Sequence, residues 1–223
     1  MSHRRLPRFP SVVCFCLAAA CASGSSQQGA PAQVDELVTW IERVHVEAES
    51  GRVAIQDAYE RMNALATGRF GQGTAVASYA RFVQSIDVTD QQAKRFRDVV
   101  GPMQTAAKPV FEQWQKGIAS ISGDRLRQLS EMRLAVTKER YDAIAKVAVP
   151  AQQKFDAYAK SLRDVATFLA HDLNASALDE VQNEVKLVGQ NARDLDRDLQ
   201  GCMDAARSYV EQAALPAAGG STH

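Results

Sequence analysis

Apolar side chains recur along the chain at alternating steps of three and four residues, the spacing of one face of an α-helix. In the first such stretch the repeat continues without an exception, so its residues share one stripe of a single helix. Small members such as Ala48 and Gly51 would let a neighbouring helix approach closely. The stripe consists of Val34, Leu37, Ile41, Val44, Ala48, Gly51, Ile55, Ala58, Met62 and Leu65.

A second helix follows the glycine-rich segment TGRFGQGT, which begins at Thr67 and favours a turn. Asp90 is the only polar member of its stripe. Thr89 and Gln92 form a capping-box pattern, which leaves two alternatives: the helix stops and restarts at residues 87–89, or it continues through them in the same phase. The predicted stripe is Val76, Tyr79, Val83, Ile86, Asp90, Ala93, Phe96, Val100, Met103, Ala107, Val110, Trp114, Gly117 and Ile121.

Two further helices complete the pattern, one after Ser122–Asp124 and one that Ser176 with Asp179 is expected to cap. The third stripe is Leu126, Leu129, Val136, Ile144, Val147, Phe155, Tyr158, Leu162, Val165 and Leu169. The fourth is Leu178, Val181, Val185, Val188, Ala192, Leu195, Leu199, Cys202, Ala206, Tyr209 and Ala213. Pro102 and Pro109 should kink or interrupt the second helix, and Pro150 should bend the third.

These patterns predict an all-α fold, an elongated antiparallel bundle or coiled coil of about four long helices. At 1.5 Å per residue the helices would be about 50 to 70 Å long, which is too long for a compact globule. The bundle is expected to form one domain over residues 34–213. The polar and small residues of 214–223 indicate a disordered tail.

The first residues have the pattern of an export signal. Arg4, Arg5 and Arg8 precede about a dozen apolar residues, a run too short to span a bilayer. Leu17–Cys21 resembles the lipobox of bacterial lipoproteins, so we expect residues 1–20 to be removed and Cys21 to be lipidated. An ordinary cleaved signal or an uncleaved anchor is the alternative. Residues 21–33 would then be a flexible tether with a reach of about 20 Å.

Removal of the signal leaves 23 basic and 26 acidic side chains, a net charge of −3. A slightly acidic chain is a poor candidate for non-specific binding to nucleic acid or to anionic lipid. Three of the four cysteines lie at or before Cys21, so no internal disulfide framework is expected. Cys202 falls on the fourth stripe, where a thiol usually behaves as a small buried apolar group.

No sequence motif identifies a reaction, and no cofactor or metal is predicted. Gly68 and Gly73 have the spacing of a phosphate-binding loop, but Thr74 replaces the required lysine and no strand precedes them. Glu42 and His45 have the spacing of a di-iron bundle motif, yet no second copy exists, so a solvated helix face is preferred.

Two polar segments on the later helices are candidate sites. His171, Asp172 and Asn174 form a compact group where the third helix ends, and a turn or interaction site explains it better than catalysis. The group that consists of Arg193, Asp194, Asp196, Arg197 and Asp198 should form a solvated face with local ion pairs.

Four motifs occur in order in the second half of the chain: VFEQW at Val110, DRLRQL at Asp124, KERYDAI at Lys138 and FLAHDLNASAL at Phe168. With them the chain resembles the bacterial domain-of-unknown-function family 2959 from about residue 50 to about residue 212. The resemblance implies helical envelope proteins of unknown activity, with no catalytic residues to transfer.

The sequence therefore predicts a non-enzymatic, lipid-anchored scaffold or interaction protein of the bacterial envelope. It would face the periplasm and contact an envelope protein partner, and Ala22 after the lipidated cysteine suggests the outer membrane. A periplasmic protein that binds lipid or another apolar ligand is the alternative, and an enzyme that uses His171 is a distant one. The oligomeric state stays open.

Overall fold

The computed structural model describes the backbone of residues 30–213 and the side chains of residues 34–213. The predicted signal, Cys21 and the tail at 214–223 lie outside the described residues. Within them the protein is all-α, as predicted, and contains no strand. The helices are α1 (Ala30–Ala66), α2 (Ala75–Ala119), α3 (Asp124–His171), α4 (Ala175–Glu180) and α5 (Gln182–Ala213).

The four long helices pack as an antiparallel bundle in which α1 and α3 each contact both α2 and α5. Side-chain contacts between neighbouring helices define their register along the bundle. Gln92 Nε2 of α2 donates to Glu47 O of α1 at 3.1 Å, and Lys154 of α3 pairs with Asp198 of α5. Tyr158 Oη crosses the bundle diagonally and donates to Ile55 O at 3.0 Å.

The first predicted stripe forms the α1 side of the core. Nine of its ten residues are buried, and only Val34 at the start is partly exposed. In α5 the stripe from Val185 to Tyr209 is likewise buried. Burial of large apolar side chains from all four long helices supplies the main stabilisation of the bundle. The largest fully buried side chains include Tyr158, Phe82, Phe96, Phe155, Leu37 and Ile41.

Helix α2 continues without a break through residues 87–89, which decides between the two alternatives. The Thr89 hydroxyl donates to Ser85 O at 2.8 Å within the same helix, and Gln92 bonds α1 instead of forming a capping box. Pro102 and Pro109 also lie inside the uninterrupted helix, as Pro150 does in α3.

Two faces of α2 are buried, and the apolar pattern identified only one of them. The predicted face contacts α3, where Tyr79 Oη donates to Ala166 O at 3.0 Å and Asp90 pairs with Arg163. At the ends of this predicted stripe, Val76 and Gly117 are exposed, contrary to expectation. The second face carries Phe82, Ser85, Thr89 and Gln92.

The first residues of the third stripe are the clearest error in the predicted core. Leu126, Leu129 and Val136 are exposed by 64%, 44% and 37%. Extending the contacts Gln92–Glu47 and Lys154–Asp198 along antiparallel helices places these residues beyond the described ends of α1 and α5. At that level α3 has only α2 as a neighbour among the described helices.

Candidate interaction surfaces

A groove lies between the end of α3 and the start of α5, with a volume of about 370 Å³. Carboxylates of Asp164, Glu180 and Glu184 line it, and its lining contains no basic side chain. We call it the acidic groove. Its lining residues are Ser161, Asp164, Val165, Phe168, Glu180, Val181, Glu184, Leu187 and Val188.

Two apolar side chains stand exposed in the acidic groove. Val165 and Val188 belong to the buried core, whereas Phe168 and Leu187 are 44% and 51% exposed. Both exposed residues lie off the predicted core stripes. The sequence signal for such a surface is a large apolar residue outside the core stripe of an amphipathic helix. Phe168 and Leu187 are residues of this kind, but the prediction considered only the core stripes.

The predicted group at the end of α3 is a helix-to-helix turn beside the groove. His171 occupies the last turn of α3, and His171, Asp172 and Asn174 are all exposed. Asn174 has an extended backbone conformation, with a φ of −132°. Its side chain caps α4, where Oδ1 accepts a bond from Ala177 N at 3.0 Å.

Asn174 therefore takes the capping role that the sequence assigned to Ser176 with Asp179. Ser176 Oγ contacts Glu180 Oε1 at 3.4 Å and makes no cap. The cap satisfies a free amide at the start of α4, which is separated from α5 only by Val181. The group at 171–174 thus has a structural role through Asn174, while His171 is exposed to solvent.

The Glu42–His45 pair does not form a metal site. His45 Nδ1 lies 3.1 Å from Met203 O, so this ring joins α1 to α5. Glu42 is exposed. Among the described residues, no group of three or more His, Cys, Asp or Glu side chains is arranged to hold a metal ion.

The glycine-rich segment is the turn between α1 and α2. Gly68 and Gly71 have φ values of +67° and +63°, a conformation that glycine adopts at little cost. Thr74 is the N-cap of α2, and its side chain accepts a bond from Ala77 N at 3.1 Å. The residue that occupies the position of the phosphate-binding lysine is therefore already used as a cap.

Cys202 is fully buried on α5, as its place in the stripe predicted. Burial, with a smaller contribution from Asp198, raises the pKa of its thiol to about 12. A thiol in this environment is a poor nucleophile, because the thiolate is the reactive form.

The charged face of α5 does more than was expected. Arg197 and Asp194 form the predicted local pair at 3.1 Å. Asp196, however, accepts two bonds from Arg52 of α1, at 2.7 and 3.2 Å. Asp198 pairs with Lys154 of α3. These cross-helix pairs fix the position of α5 relative to its neighbours, although partly exposed pairs contribute only about 0.2–1 kcal/mol each.

The described helices include no candidate for a membrane span. In the part of the chain that the structure describes, every helix is too short in its apolar run, or too charged, to cross a bilayer.

Residues 27–213 match the family described as "Protein of unknown function (DUF2959)". The match covers most of the chain, and the protein belongs to this family. No curated protein and no solved structure matches the chain.

Proposed function

We propose that the protein is a non-enzymatic interaction module of the bacterial cell envelope, anchored by lipid at Cys21 and facing the periplasm. The arginine-rich start, short apolar run and lipobox-like segment support the anchor, and Ala22 supports the outer membrane. The acidic groove is the surface that would bind a protein partner.

The exposure of Phe168 and Leu187 beside three carboxylates is the observation that carries this proposal. When a partner covers an exposed apolar side chain, the free energy of the complex is lowered. Charged groups beside that side chain determine which partners can bind. The groove would therefore accept a helix or extended segment of an envelope protein that carries apolar and basic residues. Carboxylates at the rim would contribute chiefly to association rate and specificity.

The position of the groove along the bundle favours a partner held away from the membrane. The contact between Arg52 and Asp196 puts Val188 level with the last two turns of α1, whereas the anchor precedes Ala30. About 30 residues of α1 separate these levels, or roughly 45 Å at 1.5 Å per residue. The anchored bundle would thus present its binding surface in the periplasm.

The filled interior favours contact over storage of an apolar ligand. Large side chains such as Tyr158, Phe96 and Phe155 occupy the centre of the bundle with no measurable or almost no exposure. A ligand inside would have to displace them, and close-packed interiors resist such changes. The groove is open at the surface and suits a protein segment better.

Photo-crosslinking in cells tests the proposal. Leu187 is replaced by a photo-crosslinking amino acid in the lipidated protein, and the exposed Val53 of α1 serves as the control position. We expect a discrete protein adduct from position 187 and none of the same mass from position 53.

Charge reversal makes the test specific to the groove. Asp164→Lys with Glu180→Lys should abolish the adduct, because it converts an acidic surface into a basic one that repels a basic partner. Glu42→Lys with Asp87→Lys makes the same charge change at exposed positions outside the groove and should leave the adduct intact. An adduct that survives the groove variant, or that both variants remove equally, would refute the proposed surface.

A further inference from the structure

Among the described residues, one end of the bundle is formed by two helices instead of four. Extending the Gln92–Glu47 contact along the antiparallel pair places Ala30, the first residue of α1, level with Pro109. The Lys154–Asp198 contact similarly places the end of α5 level with Glu139. Residues 108–140, the end of α2 and the start of α3, therefore extend past the described parts of α1 and α5, by about 15 Å along α2 and about 22 Å along α3. We call this segment the projecting hairpin.

Contacts between α2 and α3, within the projecting hairpin and at its base, hold the two helices together. Phe111 and Tyr141 pack edge to face with ring centroids 5.5 Å apart, and Trp114 Nε1 donates to Ser130 Oγ at 3.0 Å. Ile118 of α2 is buried. These contacts hold α2 against one side of α3 only, so the other side of α3 has no partner among the described residues.

The uncovered side of α3 carries an apolar strip. Its members follow one another at steps of three, three and four residues, which puts them on one helix face. We call these residues the apolar strip: Leu126 (64% exposed), Leu129 (44%), Met132 (59%) and Val136 (37%). A contiguous set of large apolar residues on a surface indicates a binding site.

The charge of the projecting hairpin is opposite to that of the rest of the mature chain. Between Lys108 and Arg140 there are seven basic and four acidic side chains, a net charge of +3. The remaining mature chain has 16 basic and 22 acidic side chains, a net charge of −6. The apolar strip therefore lies in the basic part of an otherwise acidic molecule.

We propose that the projecting hairpin docks on the surface of a bilayer that contains anionic phospholipid. The apolar strip would enter the boundary between headgroups and acyl chains, while lysines and arginines beside it contact lipid phosphates. An amphipathic helix with basic flanks binds membranes by this combination of apolar burial and charge attraction.

The position of the hairpin matches the proposed anchor, and to that extent the inference rests on the proposed function. The start of α1 lies at the same end of the bundle as the hairpin, opposite the acidic groove. Residues 21–29 precede α1 and belong to the tether that the sequence predicts; a flexible tether of that length would span about 15–18 Å on average. This reach is close to the projection of the hairpin, so a lipid at Cys21 and the hairpin tip would reach one membrane together.

Vesicle flotation of the unlipidated mature chain, residues 21–223 with Cys21→Ala, tests the inference without the anchor. Vesicles of phosphatidylethanolamine with phosphatidylglycerol are compared with vesicles of phosphatidylcholine alone. We expect binding to the anionic vesicles that weakens steeply with added salt, and far weaker binding to the neutral ones. Equal binding to both, without salt dependence, would overturn the inference.

Substitutions in the apolar strip supply the second arm. Leu126→Ser with Leu129→Ser and Met132→Ser should weaken binding by at least ~30-fold, since each apolar side chain contributes about threefold or more even when the membrane buries only part of it. Arg125→Glu with Arg133→Glu should weaken it similarly, at about fivefold or more per basic residue. The control Val46→Ser, Val53→Ser and Val88→Ser removes three exposed apolar residues elsewhere and should bind as the parent does.

Sedimentation of the same proteins without lipid separates the other occupants. If the parent chain ignores anionic vesicles but forms a dimer that the strip substitutions dissociate, the strip binds a second copy and the inference is wrong. If the parent chain fails to bind anionic vesicles and a variant without residues 214–223 binds them, the tail covers the strip in the native protein. In that case the inference is also wrong. Neither result affects the crosslinking test of the acidic groove.

Discussion

Gly51→Ala tests the close packing at the centre of the bundle. A methyl group on Gly51 would lie 2.9 Å from Phe155 Cε1 and 3.2 Å from Leu199 Cδ1. Both neighbours are fully buried, and the Phe155 ring also packs against Phe96, with centroids 6.4 Å apart. The ring therefore has little room to move away from the added methyl.

Two opposing effects determine the magnitude. Alanine is favoured over glycine in a helix by about 1 kcal/mol. Overpacking a core by one methyl group costs about 1–3 kcal/mol, and the confined ring favours the upper half of that range. We expect Gly51→Ala to lower the free energy of unfolding by about 1–2 kcal/mol. Gly101→Ala in α2 is the matched control, because its added methyl would meet nothing within 4 Å; it should raise stability by about 0.5–1 kcal/mol.

Urea unfolding followed by circular dichroism at 222 nm measures both variants against the parent mature chain. The comparison uses transition midpoints at equal slopes, since a changed slope would indicate an altered unfolded or native state. If Gly51→Ala stabilises the protein as much as Gly101→Ala does, the helices are not in close contact at this level and the packing argument fails.

Four further predictions concern Cys202, the cap of α4 and Cys21. Cys202 should react with a thiol reagent only after denaturant is added, and fast labelling of the native protein would place it outside the core. Because burial raises the pKa of Cys202 to about 12, its contribution to stability is present below about pH 9 and is lost as the pH rises toward 12; relative to Cys202→Ala, the parent should lose about 1.4 kcal/mol per pH unit in that window. Asn174→Ala should lower stability by about 1 kcal/mol, and Ser176→Ala by much less, in the same urea assay; equal effects would contradict the observed cap. Cys21→Ala should move the protein from the membrane to the soluble fraction, and a parent protein of unlipidated mass would contradict lipidation.

The long helices were predictable because their apolar repeats are long and regular. The stripe of α1 was identified almost completely, since its residues face two neighbours with a single band of aliphatic side chains. In α2 only one of two buried faces was found. Ser85 and Thr89 lie in the other face, and their hydroxyls donate hydrogen bonds to carbonyls of their own helix. Because these bonds allow polar residues to be buried, an apolar repeat does not mark this face.

The interaction surfaces were not predictable because they depend on where neighbouring helices end. Leu126 and Leu129 have the spacing of core residues, but they are exposed because the described parts of α1 and α5 do not extend to their level. The acidic groove depends on how α3, α4 and α5 meet around Asn174. Periodicity shows which side chains share a face but not whether another helix covers that face.

Complementation of a deletion strain tests most directly whether the protein acts by contact through the acidic groove. The account predicts that Asp164→Lys with Glu180→Lys, produced at parental level and correctly folded, reproduces the deletion phenotype. His171→Ala, Glu42→Ala and His45→Ala should each restore function. If His171→Ala is folded yet fails to restore function, while the groove variant restores it, the contact mechanism is wrong and the end of α3 holds a chemical site.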